Sequence, residues 1–162
     1  MAKEAHNHDV CVANAMELAE TLCRERGLRL TPLRRVVLEL VWRGHEPVGA
    51  YELLDELTKR GHSPSPPTVY RALDFLIQAG LVHRLDSLNA YVGCDDPSHP
   101  HESAFLICDQ CRNVLELDGE AIRGQIEVMA ERLGFGAEQY VLEVQGRCEN
   151  CRDANVQPSA ST

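Results

Sequence analysis

Pro66-Pro67-Thr68-Val69-Tyr70-Arg71-Ala72-Leu73-Asp74-Phe75-Leu76-Ile77-Gln78-Ala79-Gly80 is the stretch on which the fold turns. Its prolines suit the opening of a helix, where the N–H they lack has no partner to lose. Val69, Leu73, Leu76 and Ile77 share one helical face, and Gly80 supplies a stop. The spacing predicts a helix over 68–79. Two short strand-like runs follow, Leu81–Leu85 and Ala90–Cys94, around a polar turn at 86–89.

Upstream, a Pro/Ser/Gly loop over 61–67 separates this helix from another at Ala50–Lys59, with Leu53, Leu54 and Leu57 facing inward. Before it, Thr31 is a good cap and Pro32 a good first helical residue. Leu33, Val36, Val37, Leu40 and Val41 then form an amphipathic stripe. A first helix covers Val10–Arg26 and closes at Gly27. Helices followed by a β-hairpin describe a winged helix-turn-helix, the helix after Pro66 being the one that enters the major groove.

Downstream the pattern changes. Ala104–Ile107, Val114–Leu117 and Tyr140–Val144 read as strands, and Ile122, Ile126, Met129 and Leu133 as a helical stripe. The fold class expected is therefore α+β: an N-terminal winged helix-turn-helix domain over 10–86, a hinge at 87–92, and a C-terminal α/β domain over 93–152. Residues 1–9 and 153–162 read as disordered tails. So short a second domain needs a partner surface, which points to a homodimer.

The net charge of −9 is unusual for a nucleic-acid binder, but it is unevenly spread. Arg24–Arg84 holds ten Lys/Arg against seven Asp/Glu, and the remainder six against eighteen. The basic residues thus collect where the helix-turn-helix is expected. The longest stretch without a charged residue, Gly61–Tyr70, is ten residues with three prolines, too short and broken to span a bilayer. The N-terminus leads into no apolar export signal, so a cytoplasmic location is expected, where thiols stay reduced.

In that setting seven cysteines point to metal. Cys108-Asp109-Gln110-Cys111 and Cys148-Glu149-Asn150-Cys151 are two C-x-x-C pairs with 36 residues between the inner cysteines. One pair alone could be a redox centre, whereas two imply joint coordination by four thiolates, a closed structural zinc site. Cys94 ends the hairpin, with His83 on the preceding strand, His99 and His101 shortly after, and Glu116 beyond the first knuckle. A thiolate, two imidazoles and a carboxylate complete a second tetrahedral site in which His99 and His101 compete for one place. The soft ligand favours zinc over manganese or magnesium, and somewhat over ferrous iron. Zinc, two ions per chain, is the cofactor expected. Cys11 and Cys23 read as ordinary core or surface thiols.

Arg29-Leu30-Thr31-Pro32-Leu33-Arg34, Pro66-Pro67-Thr68-Val69-Tyr70-Arg71-Ala72-Leu73-Asp74-Phe75-Leu76 and the two C-x-x-C pairs together resemble the ferric uptake regulator (Fur) family, from about Val10 to Cys151. Val82-His83, Tyr91-Val92-Gly93-Cys94 and Ser103-Ala104-Phe105-Leu106-Ile107-Cys108 are most similar to its zinc uptake regulator branch. The resemblance implies that Cys108, Cys111, Cys148 and Cys151 hold structural zinc and that His83, Cys94, His101 and Glu116 hold regulatory zinc. It implies that Tyr51, Tyr70 and Arg71 approach DNA. It also implies a homodimer that represses metal-uptake genes when loaded with metal. The His-rich run that iron-sensing members carry before the first knuckle is here reduced to His99-Pro100-His101.

On the helix after Pro66 the apolar face leaves Thr68, Arg71 and Phe75 nearer the outside. Arg71 can pair with guanine and an aromatic ring can touch a thymine methyl. Arg34, Arg35, Lys59 and Arg60 are candidates for phosphate contacts, and Arg24, Arg26 and Arg43 read as solvated charges. The partner expected is double-stranded DNA with an inverted-repeat operator, zinc fixing the spacing of the two reading heads. The alternatives are a family regulator sensing iron, manganese or peroxide, a DNA-binding protein whose zinc is purely structural, and, more remotely, a zinc or thiol enzyme. A catalytic zinc keeps a position open for water, whereas the second set fills all four, and no nucleophile–base arrangement is present.

Overall fold

The computed structural model describes residues 8–44, 46–98 and 101–153. The chain divides into two compact units between residues 100 and 101. The tails expected at 1–9 and 153–162 fall mostly outside the described residues, although the backbone of residues 8 and 9 already belongs to the first helix and that of residue 153 to the last.

The first unit holds α1 (His8–Glu25), α2 (Pro32–Trp42), α3 (Ala50–Lys59), α4 (Pro66–Gln78) and the hairpin β1 (Val82–Leu85) and β2 (Ala90–Gly93). Thr31 caps α2 by accepting from the Arg34 N–H, and prolines open both α2 and α4. Glu52 reaches back to the Gly49 N–H at 2.8 Å and caps α3. Gly80, at φ +70°, ends α4 in the left-handed conformation that glycine takes without strain and turns the chain into β1. Side chains from all four helices and the hairpin meet in one core, with Val37, Leu53, Leu57, Leu73 and Leu76 completely buried.

The hairpin is antiparallel, pairing Val82 with Gly93 and Leu85 with Ala90, and Asn89 takes the left-handed turn position at φ 47°. Tyr91 exchanges backbone hydrogen bonds with Val48 at 3.0 and 2.9 Å, which ties the wing to the start of α3. Gly93 lies so close to Trp42 that an added Cβ would fall 2.3 Å from the indole. These contacts correct the expected hinge: residues 87–92 are the turn and second strand of the wing, held by the buried Tyr91, and the division falls some eight residues later.

The second unit is a three-stranded sheet with strand order β4-β3-β5, formed by β3 (Ser103–Cys108), β4 (Val114–Asp118) and β5 (Leu142–Gly146). β3 runs antiparallel to β4 and parallel to β5, with α5 (Glu120–Arg132) between β4 and β5 in the chain. A short α6 (Glu149–Asp153), not foreseen from the sequence, follows. The strand expected at 140–144 begins two residues late, because its register is set by parallel pairing of Ala104 with Leu142 through Cys108 with Gly146. The apolar stripe of α5 lies open: Ile122, Ile126 and Met129 are all exposed, and no residue of α5 is buried.

Candidate metal centres and nucleic-acid face

The two C-x-x-C pairs meet inside the second unit. Cys108 ends β3 and Cys111 lies in the turn that follows, while Cys148 and Cys151 flank the start of α6. The first knuckle closes through Arg112 N–H to Cys108 C=O at 2.9 Å and Cys108 N–H to Asn113 C=O at 2.9 Å, with Arg112 in the left-handed region at φ 57°. The Cys151 and Arg152 N–H groups both donate to Cys148 C=O, and the Cys148 N–H points at Cys108 Sγ at 3.4 Å.

All four sulfurs lie within 4.8 Å of one another, and Cys111 and Cys148 are 3.6 Å apart. A disulfide needs about 2.05 Å, whereas a tetrahedron of ~2.3 Å zinc–sulfur bonds separates its sulfurs by about 3.8 Å. The donor chemistry agrees. Backbone N–H groups from Cys148 and Cys111 pull Cys108 down to about 6, which favours the thiolate form that ligates metal. Burial, then the neighbouring sulfurs, push Cys151 up to about 12. Four sulfurs this close cannot all be anionic without a cation among them. The cluster therefore fits a divalent, thiophilic metal.

The second candidate set is drawn from both units. In the first, His83 stands on β1 opposite Val92, and Cys94 follows β2, fully buried, its N–H donating to Leu81 C=O at 3.1 Å. The ligand atoms of His83 and Cys94 lie within 4.8 Å. In the second unit, His101 Nε2 lies 2.8 Å from Glu116 Oε1, which also accepts from the Ser103 hydroxyl at 2.6 Å. Each unit thus presents one preassembled pair of donors. The rival His99 lies outside the described residues.

The nucleic-acid candidates separate into open and engaged side chains. Tyr51 is 68% exposed near the start of α3, and Tyr70 and Arg71 are exposed on α4. Thr68 is half-buried, its hydroxyl 2.9 Å from that of Ser65. Arg35 pairs with Glu20 at 2.6 Å and Lys59 with Glu56, both on open surface. Arg34 stacks 3.6 Å over the Phe75 ring and donates to Arg29 C=O at 2.7 Å. Phe75 is corrected by this contact: it packs against the core beneath Arg34 and is not free to meet a thymine methyl. Arg60 is turned inward to Glu39 at 3.0 Å, its other terminal nitrogen buried. Sequence reasoning also missed Arg26, whose guanidinium makes long-range backbone contacts. Only its position just after a helix, before Gly27, set it apart.

The ferric uptake regulator family matches residues 25–145. The chain is 42% identical to the zinc uptake regulation protein of Escherichia coli K12 over 136 residues, covering 82% of this chain and 78% of that protein. Among solved structures it is similar to holo XcZur, with 47% identity and a TM-score of 0.78, covering 85% of this chain and 96% of that one. It is also similar to a zinc uptake regulator complexed with zinc and DNA, with 39% identity and a TM-score of 0.82, covering 88% and 96%.

Proposed function

The chain belongs to the ferric uptake regulator family, and on that footing we propose that it is a zinc-responsive DNA-binding repressor of zinc-uptake genes, with zinc as corepressor. The observation that carries this is the 39% identity, over 88% of the chain, with a zinc uptake regulator bound to both zinc and DNA. Membership of this family makes the protein a transcription regulator and not an enzyme.

Cys108, Cys111, Cys148 and Cys151 hold a structural zinc. His83 and Cys94 from one unit, with His101 and Glu116 from the other, hold a regulatory zinc, giving two ions per chain. The preassembled pair in each unit supports this reading: an ion that needs all four donors must restrict how the units are arranged. Zinc then raises the population of the arrangement that fits DNA, by as much as it binds that arrangement more tightly. Tyr51, Tyr70, Arg71 and Thr68 face the DNA. Arg35 and Lys59 contact phosphates, since exposed ion pairs such as theirs are weak and exchange readily. Arg34 and Arg60, already engaged within the unit, make the lesser contribution.

The protein acts as a homodimer on an inverted-repeat operator, in the cytoplasm. Leu106, Leu115 and Val144, side by side across the sheet, and Met129 and Leu133 at the end of α5 are exposed, an apolar surface that a second copy would cover. No helix among the described residues is long and apolar enough to cross a membrane.

The test uses a labelled duplex selected from a random pool by the zinc-loaded protein. Binding is followed as buffered free zinc is raised, with zinc counted per chain. Affinity should rise as the second zinc loads. Cys94→Ser should stay folded, keep one zinc per chain and lose the response. Tight binding at one zinc per chain, with no further response, would leave only a DNA-binding protein with structural zinc.

A further inference from the structure

Arg26 follows α1 by one residue, yet it holds distant parts of the first unit together. Its Nη1 donates to Ala79 C=O at 2.8 Å, and its Nη2 donates to Pro97 C=O at 2.8 Å and Ser98 C=O at 3.3 Å. Ala79 is the C-terminal cap of α4. Pro97 and Ser98 lie on the segment that leaves Cys94 towards His101. That segment is shaped to present its carbonyls. The Ser98 N–H donates to Asp96 Oδ1 at 3.3 Å, the Ser98 hydroxyl bonds the same oxygen, and Pro97 is buried.

Two features make arginine the residue for this place. Its rigid planar fork can donate in two directions at once, which a lysine ammonium on a flexible stem does poorly. A cation at the end of α4 also meets the exposed carbonyls and the negative end of the helix dipole. α4 has 13 residues, about 20 Å of stiff rod. A small displacement where Arg26 grips one end is therefore felt at Tyr70 and Arg71, about 12–14 Å along the helix.

We propose that Arg26 is a positioning residue that couples the metal-ligand segment after Cys94 to the DNA-facing helix α4. Fixing the chain after Cys94 with zinc fixes, through one guanidinium, the end of α4. This rests on the zinc-responsive reading above, and it assigns the route by which the signal reaches the reading head.

The test compares the full-length protein with Arg26→Ala and Arg26→Lys, the latter keeping the charge and losing the fork. For each, DNA affinity is measured at low and at saturating buffered zinc, with zinc content and thermal unfolding as controls. Both variants should take up two zinc ions and keep the DNA affinity of the zinc-poor protein. The zinc-induced gain should shrink about tenfold or more, within the usual range of coupling between sites. By reciprocity, the tightening of the second zinc by DNA should shrink by the same factor. A gain equal to the unmodified protein's would overturn the proposal, as would a matched fall at both zinc levels, which marks a merely structural residue. If Arg26→Ala does not fold, Arg26→Lys decides. An unmodified protein that ignores zinc removes the functional reading and this one with it. If it responds and the variants respond equally, only the role of Arg26 fails.

Discussion

The two units reach stability by different physical means. In the first, four helices and a hairpin bury nineteen residues in one continuous core. In the second, β3 contributes Ala104, Phe105 and Ile107, two metal-candidate cysteines are buried, and α5 buries nothing. Apolar burial, at about 25 cal/mol per Å², is the main source of the first unit's stability. The second leaves most of its large apolar side chains exposed and gathers four thiols instead. A reading head must keep its shape whatever the zinc level, whereas a module that binds metal and a second copy can draw its stability from both.

The strongest way to break this contrast is to remove one thiolate. Cys148→Ser, or exhaustive chelation, should unfold the second unit, since structural zinc contributes an apparent ~10–16 kcal/mol in small zinc domains. Hydrogen exchange should show the amides of β3, β4 and α5 losing protection while α2, α3 and α4 keep theirs. Protected strands in a zinc-free Cys148→Ser protein would show that the sheet stands without its metal, and the contrast would fail.

The converse test is made in the first core. Leu73 is completely buried at the centre of α4. Leu73→Ala should cost about 2–5 kcal/mol, from lost burial and the cavity left behind. Chemical denaturation should show the first transition moving to lower denaturant with the zinc content unchanged. If both transitions moved together, the units would share one cooperative fold.

Most of this division was legible in the sequence, because it rests on periodicity and spacing. The helix over 50–59, the Thr31 cap and the hairpin followed from apolar period and punctuation, and the C-x-x-C spacing anticipated that four cysteines meet. What escaped depends on tertiary contact. The segment 87–92, which begins in the polar turn, looked like a hinge because nothing local shows Tyr91 bonding to Val48. α6 is four polar residues and Cys151, wound by the second knuckle, with no apolar period to announce it. The stripe on α5 reads as an apolar helical face, and spacing alone does not say whether such a face meets a core or stays open to a second copy. Phe75 and Arg26 were misread for one reason: each is set by a partner far away in sequence, Arg34 over the ring and the carbonyls of residues 79, 97 and 98 around the guanidinium.

The smallest effect compares how each unit starts a helix. α2 begins with a side-chain cap from Thr31, so Thr31→Ala should cost about 1 kcal/mol. α5 begins at Gly119, which offers no side chain, and a capping residue there would ordinarily help or be neutral. Here it should not. The Gly119 N–H donates to Glu102 C=O at 2.7 Å, drawing the backbones so close that a Cβ would stand 3.0 Å from that oxygen and 3.2 Å from the Ser103 carbonyl carbon. Both obstacles are backbone and cannot swing aside. Asp118 already serves the helix start, accepting from the Glu120 N–H at 3.0 Å. Gly119→Asn should therefore lower, not raise, the melting temperature of the zinc-loaded second unit. A rise would mean that the residue 102–119 contact yields easily, and that the second unit is held by its metal to a still greater degree than its backbone contacts suggest.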